Sequence, residues 1–127
     1  MRRALIVDDD PPFRRFLHAV LTSDGYETMT AADGRAGLDL FKRHGPFDVV
    51  LTDVMMPLMG GSQLGRYLRQ ITPDIKVLYV TGSRDALFSD KTRLSPGEAV
   101  LEKPCSPAHI IDAVRGLVNA CETDSSR

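Results

Sequence analysis

The chain predicts a single-domain α/β fold built on a parallel sheet, with five strands and five helices in strict alternation. Two observations predict it. Short apolar runs alternate with apolar stripes at helical spacing along nearly the whole sequence. The run Val49-Val50-Leu51 is apolar at every position, as a strand covered by helices on both faces must be. Right-handed crossovers then bring the carboxyl ends of all strands to one edge, where such sheets bind ligands.

The elements follow in order. Leu5, Ile6 and Val7 form the first strand. Phe13, Phe16, Leu17, Val20 and Leu21 fall at i, i+3, i+4, i+7 and i+8 and mark the first helix, with Asp10 as its cap and Pro11 in its first turn. Asp24-Gly25 ends that helix, since glycine takes the left-handed cap conformation. Residues 26–31 form a weaker strand near an edge. Residues 34–44 form a helix that buries Leu38 and Phe41 and stops at Gly45-Pro46. The central third strand spans 48–52, and Leu64, Tyr67, Leu68 and Ile71 mark the third helix. The fourth strand spans 76–80. Residues 85–94 read as a helix of poor periodicity, expected to be the most mobile. A short fifth strand at 99–102 precedes a last helix capped by Ser106, begun by Pro107, and buried through Ile110, Ile111, Val114, Leu117, Val118 and Cys121. The domain is expected to cover 1–121, with a disordered tail at 122–127.

Composition narrows the function. The 127 residues are 43% hydrophobic and 26% charged, values of a globular domain rather than a disordered chain. A net charge of −1, with Arg2-Arg3 and Arg14-Arg15 the only arginine doublets, gives no bulk attraction to nucleic acid or an anionic membrane. No apolar stretch approaches a membrane span, and the aspartates at 8–10 cut short any signal-peptide reading of the N-terminus. Cys105 and Cys121 read as two reduced thiols in a bacterial-type cytoplasmic domain.

The chemistry concentrates where strands end. The first strand runs into Asp8-Asp9-Asp10, and the third ends at Asp53. Two carboxylates about 4 Å apart repel by roughly 4 kcal/mol at an effective dielectric near 20, so gathering several at one sheet edge calls for a cation. Oxygen ligands favour a hard divalent ion, Mg²⁺ foremost. The blander alternatives are that the triple aspartate caps a helix and offsets its dipole, and that Asp53 opens a turn toward Pro57. Thr81 and Lys103 also stand just past strands, with a strand-end threonine and a solvated lysine as their plain readings. Met55, Met56 and Met59 read as loop packing, and His18, His44 and His109 lack metal-ligand spacing.

Together Val7-Asp8-Asp9, Asp53 with Pro57 four residues on, Val80-Thr81-Gly82 and Lys103-Pro104 resemble the receiver domain of two-component response regulators, the CheY-like family. Four such motifs in order, each closing a separate strand, cover the chain from Leu5 to about Val118. The resemblance implies a doubly wound, flavodoxin-like three-layer sandwich with strand order 2-1-3-4-5. It implies that Asp53 is the phosphoacceptor, attacking a kinase phosphohistidine to give an acyl phosphate. Asp9, Asp53 and the carbonyl of Met55 would ligate Mg²⁺, with Asp8 acting through a metal-bound water. Lys103 would pair with Asp53 and then the phosphoryl oxygens, Thr81 would hydrogen-bond one of those oxygens, and the N–H of Gly82 another. A cis Lys103-Pro104 bond is also implied. The partners would be a histidine kinase or histidine phosphotransfer protein and a downstream protein that the sequence does not identify. The switching face would be the fourth helix, fifth strand and last helix.

Two departures from the family pattern matter. Val100 occupies the position, three before Lys103, where an aromatic often couples to the threonine; Tyr79 is the alternative aromatic for the signalling face. Met55 and Ser83, two beyond Asp53 and Thr81, offer no carboxylate or amide to orient water, so slow hydrolysis of the phosphate is expected. The competing readings are a pseudo-receiver that binds without phosphate and, more remotely, an aspartyl-nucleophile phosphatase, which lacks its second acid at Met55. With no room after Cys121 for an output domain, the expectation is a single-domain regulator, a phosphorelay intermediate, or a receiver excised from a hybrid kinase.

Overall fold

The computed structural model describes residues 2–82 and 96–125, the stretch 120–125 as helix backbone alone. Its five strands are β1 (Arg3–Val7), β2 (Glu27–Ala31), β3 (Val49–Thr52), β4 (Val77–Thr81) and β5 (Glu98–Glu102). They form one sheet in the order β2-β1-β3-β4-β5, and every neighbouring pair is parallel. The helices among the described residues are α1 (Pro11–Ser23), α2 (Gly34–His44), α3 (Gly61–Ile71) and α4 (Pro107–Ser125). The helix expected over 85–94, and its mobility, lie outside the described residues. The last helix continues to Ser125, past the position 122 at which a disordered tail was expected to begin.

Alternation along the strands builds a core on each face of the sheet. Ala4, Ile6, Val49, Leu51, Leu78 and Val80 face α1 and α4, packing on Leu17, Leu21, Ile110 and Val114. Leu5, Val7, Val50, Val77 and Tyr79 face the other way, onto Phe41 of α2 and Leu64 and Leu68 of α3. This is the doubly wound three-layer sandwich. β1, β3 and β4 lie inside it, which is why their runs are apolar throughout; β2 is an edge, as its weaker pattern indicated.

Local chemistry explains the boundaries. Gly25 ends α1 at φ +89°, a conformation open to glycine at no steric cost. Ser106 Oγ accepts the His109 N–H at 3.2 Å and so caps α4. Asp10 corrects its expectation: it occupies the N-cap position of α1, yet its side chain makes no capping bond. Pro11 and Pro12 fill the first two helical positions, which leaves the Phe13 N–H as the one capping donor of the first turn, and Asp10 does not take it. Tyr67 and Ile71, counted with the stripe of α3, are partly exposed.

Candidate phosphoacceptor site

β1 and β3 are adjacent and end in register, Val7 opposite Thr52, so Asp8 and Asp53 leave the sheet side by side. The Asp53 N–H donates to the Val7 carbonyl at 3.0 Å, extending the ladder one step past β3. One carboxylate oxygen from each of Asp8, Asp9 and Asp53 lies within 4.8 Å of the others. Asp8 is 1% exposed and Asp53 9%, whereas Asp9 is open to solvent.

Lys103 comes from the far side of the sheet. β5 pairs with β4 as far as Thr81 opposite Glu102, and the Lys103 N–H donates to the Thr81 carbonyl at 2.8 Å. A cis Lys103-Pro104 bond follows, as expected. The Lys103 Nζ donates to Asp8 Oδ2 at 3.0 Å and to Asp53 Oδ2 at 3.1 Å. Asp53 Oδ1 accepts the Val54 N–H at 2.6 Å, and Asp8 Oδ1 accepts the Asp10 N–H at 2.9 Å. Asp10 therefore serves the site with its backbone rather than the helix with its side chain.

The electrostatics follow from this packing. Burial raises the Asp8 carboxyl above its ordinary value, against the bonds from the Asp10 N–H and Lys103. Burial pulls Lys103 down, but the two carboxylates outweigh it and leave the ammonium more basic than usual. One ammonium facing three carboxylates leaves a net negative pocket of hard oxygen donors. That chemistry fits Mg²⁺.

The structure thus brings together Asp8, Asp9, Asp53 and Lys103. Thr81, which is buried, and Gly82, which is exposed, sit at the same sheet edge, at and just past the end of β4. Met55 lies in the loop after β3 with its side chain 67% exposed, so the packing expected of it holds only for Met56 and Met59. Gly61 lets that loop return against β3: a Cβ there would stand 2.1 Å from the Asp53 carbonyl oxygen. Ser83 lies outside the described residues. Two neighbours of the site escaped the sequence reading. The Phe13 ring centroid is 4.2 Å from Lys103 Nζ, and Arg14 Nη1 donates to the Asp8 carbonyl at 2.7 Å. The signal was their place in the first turns after Asp9-Asp10; Phe13 had been absorbed into the apolar stripe of α1.

A family model, the response regulator receiver domain, matches residues 4–115. The chain belongs to the response regulator receiver family. It is similar to the response regulator receiver protein CpdR of Brucella abortus, 29% identical over 94% of this chain and 99% of that protein. It is also similar to a response regulator receiver protein of Anaeromyxobacter, 40% identical over 88% of this chain, and spans about half of that protein's length (47%). Among solved structures, the response regulator TrrA of Thermotoga maritima, in complex with Mg²⁺-BeF, matches with a TM-score of 0.78 and 29% identity, covering 92% of this chain and 99% of that one. The receiver fold and the two-component assignment are thereby established. No described helix of this receiver is long and apolar enough to cross a membrane.

Proposed function

We propose that this receiver is a phosphorylation-driven switch whose phosphoacceptor is Asp53. The observation that carries the reading is the meeting of Asp8, Asp9 and Asp53 with Lys103 at one sheet edge. Phosphoryl transfer asks a protein mainly for positioning and for neutralising charge along an in-line path. A carboxylate oxygen of Asp53 attacks the phosphorus of a phosphohistidine; the P–O bond forms as the P–N bond to the imidazole breaks. Its other oxygen stays oriented by its backbone partner, the Val54 N–H. Lys103, now shared between Asp8 and Asp53, turns its charge to the phosphoryl oxygens, with the Phe13 ring against its ammonium. The Thr81 hydroxyl and the Gly82 N–H supply further donors to those oxygens. Asp9, Asp53 and the Met55 carbonyl, with Asp8 behind them, would hold Mg²⁺, which when bound offsets the charge of the carboxylates and of the incoming phosphoryl group.

The partners in this reading are a histidine kinase or histidine phosphotransfer protein as donor and a downstream protein as receiver of the signal, in the cytoplasm. β5 and α4 form the described part of the responding face. Moving such a switch from 1:99 to 99:1 takes roughly 5.5 kcal/mol of differential stabilisation, of which two or three charge-assisted bonds supply a large share. The domain is a signalling module, with no substrate turnover beyond its own phosphorylation. The test is intact-protein mass after incubation with acetyl phosphate. A single phosphate adduct that requires Mg²⁺ and is absent from Asp53→Ala is expected. No adduct under conditions that label a working receiver would favour the pseudo-receiver, the reading to which Val100 lends weight.

A further inference from the structure

Four large apolar side chains stand exposed among the described residues, and all four fall between 55 and 71: Met55, Leu58 (76% exposed), Tyr67 (39%) and Ile71 (47%). Tyr67 and Ile71 are one turn apart on α3, on the same side of the helix. Leu58 is the unusual one. It holds φ +68°, the left-handed region that costs a branched side chain strain, and it does so with its side chain in solvent. A strained backbone that presents an apolar group to water points to a use for that group.

Leu58 and Tyr67 line an open groove of about 680 Å³ with Leu38 and Met59, between α2, α3 and the loop that follows β3. The groove is anchored where α2 meets that loop: a Cβ on Gly34 would stand 2.3 Å from the Met59 carbonyl. Its rim is basic. Arg35 and Lys42 line it, and the acid beside them, Asp39, is already bonded to Arg43 at 3.2 Å. Across α2 and α3, Arg43 is matched by Asp39 and Arg69 by Glu98 of β5, which leaves Arg35, Lys42 and Arg66 as the excess positive charge, in a chain whose net charge is −1. An open groove of mixed lining, with Leu38, Leu58, Met59 and Tyr67 beside the cations Arg35 and Lys42, complements an amphipathic helix that carries acids beside its apolar stripe.

We infer that the groove between α2, α3 and the post-β3 loop docks an acidic amphipathic helix of a partner protein, with Leu58 and Tyr67 as anchors. This surface is separate from the face of β5 and α4. It does not depend on phosphate transfer at Asp53, so it is tested on the unphosphorylated full chain.

The probe is a synthetic peptide of about 18 residues, long enough to hold a helix in water, with leucines at i, i+3, i+4 and i+7 flanked by glutamates. The control carries lysines in place of the glutamates. Titrated into ¹⁵N-labelled protein, the acidic peptide is expected to shift the amides of Leu38, Leu58, Met59 and Tyr67, and the control is not. Leu58→Gly is expected to weaken binding about tenfold, or about 1.4 kcal/mol. The same change relieves the positive φ, so the variant should melt about 3–6 °C higher, which separates lost docking from lost folding. Lys42→Glu should also weaken the acidic peptide. Any of three results would overturn the inference: no shifts from the acidic peptide at millimolar concentration, equal binding of the lysine control, or shifts centred on β5 and α4. So would finding that the groove amides respond to protein concentration alone, marking a self-association face. Binding of phosphatidylglycerol vesicles through Leu58 in place of the peptide would overturn it too.

Discussion

At Asp8, burial and chemistry oppose each other. The carboxyl is almost fully enclosed, and its raised pKa means that the folded chain holds the proton more tightly than the unfolded one. Between the ordinary value of 3.8 and the raised one, metal-free stability therefore falls as pH rises, because in that window the folded state binds more protons. Asp8→Asn removes this slope, and at pH 7 without Mg²⁺ it should be more stable than wild type by about 1 kcal/mol. Urea unfolding from pH 4 to 7 checks this; a variant less stable at pH 7, or one that keeps the slope, would show that the bond to Lys103 outweighs burial. The site residues were legible because each ends a strand: Asp8, Asp53, Thr81 and Lys103 interrupt apolar runs where helical or extended packing gives no reason for them. Phe13 was not, because an aromatic at helical spacing has a complete explanation in the core. Asp10 holds the N-cap position without a capping bond, and what it supplies instead is its backbone N–H to Asp8.

Elements were placed well and bounded less well. β1 begins at Arg3, two residues before the apolar run, because that arginine is tied down: its guanidinium donates to the carbonyls of His44 and Pro46 at 2.5 and 2.8 Å and lies 4.6 Å from the centre of the Phe47 ring. A charged residue at a strand start carries no periodic signal of this kind. Tyr79, offered as an alternative aromatic for the signalling face, is turned inward. It is 2% exposed and packs on the α2–α3 side, its hydroxyl donating to Glu98 Oε2 at 2.9 Å, while Arg69 pairs with the same carboxylate. Burial first, and then Glu98, push its phenol well above the usual range. The partner that settles its direction is Glu98, nineteen residues on, which no local pattern links to it. Gly65 leaves room for this hydroxyl, since a Cβ there would lie 2.3 Å from it. Gly65→Ala should displace Tyr79 from Glu98 and cost about 1–3 kcal/mol in urea unfolding, despite the better helix propensity of alanine. A neutral or stabilising result would mean that the tyrosine moves aside freely.

At the scale of the molecule, crossover handedness puts the carboxyl ends of all the strands at one edge, so the edge that gathers the site was readable from the sequence, while the order of the strands was implied by the family resemblance. What the pattern does not encode is the fine placement of donors: which oxygen of Asp53 meets Lys103 and which meets the backbone depends on strand twist and loop closure. The same edge argues for a persistent signal. Met55 points its apolar side chain into solvent and has no group with which to orient an attacking water. The phosphorylated protein, freed of donor, should therefore lose its phosphate slowly for this family, as followed by intact mass over time; rapid loss by the purified chain would contradict this. The central claim, that Asp53 rather than its neighbours takes the phosphoryl group, has a direct test. Borohydride reduces an acyl phosphate to the alcohol, so treating the Mg²⁺-dependent adduct and sequencing its peptides marks the modified aspartate as homoserine. The account predicts homoserine at position 53 and nowhere else; homoserine at Asp8 or Asp9, or an adduct that persists in Asp53→Asn, would contradict it.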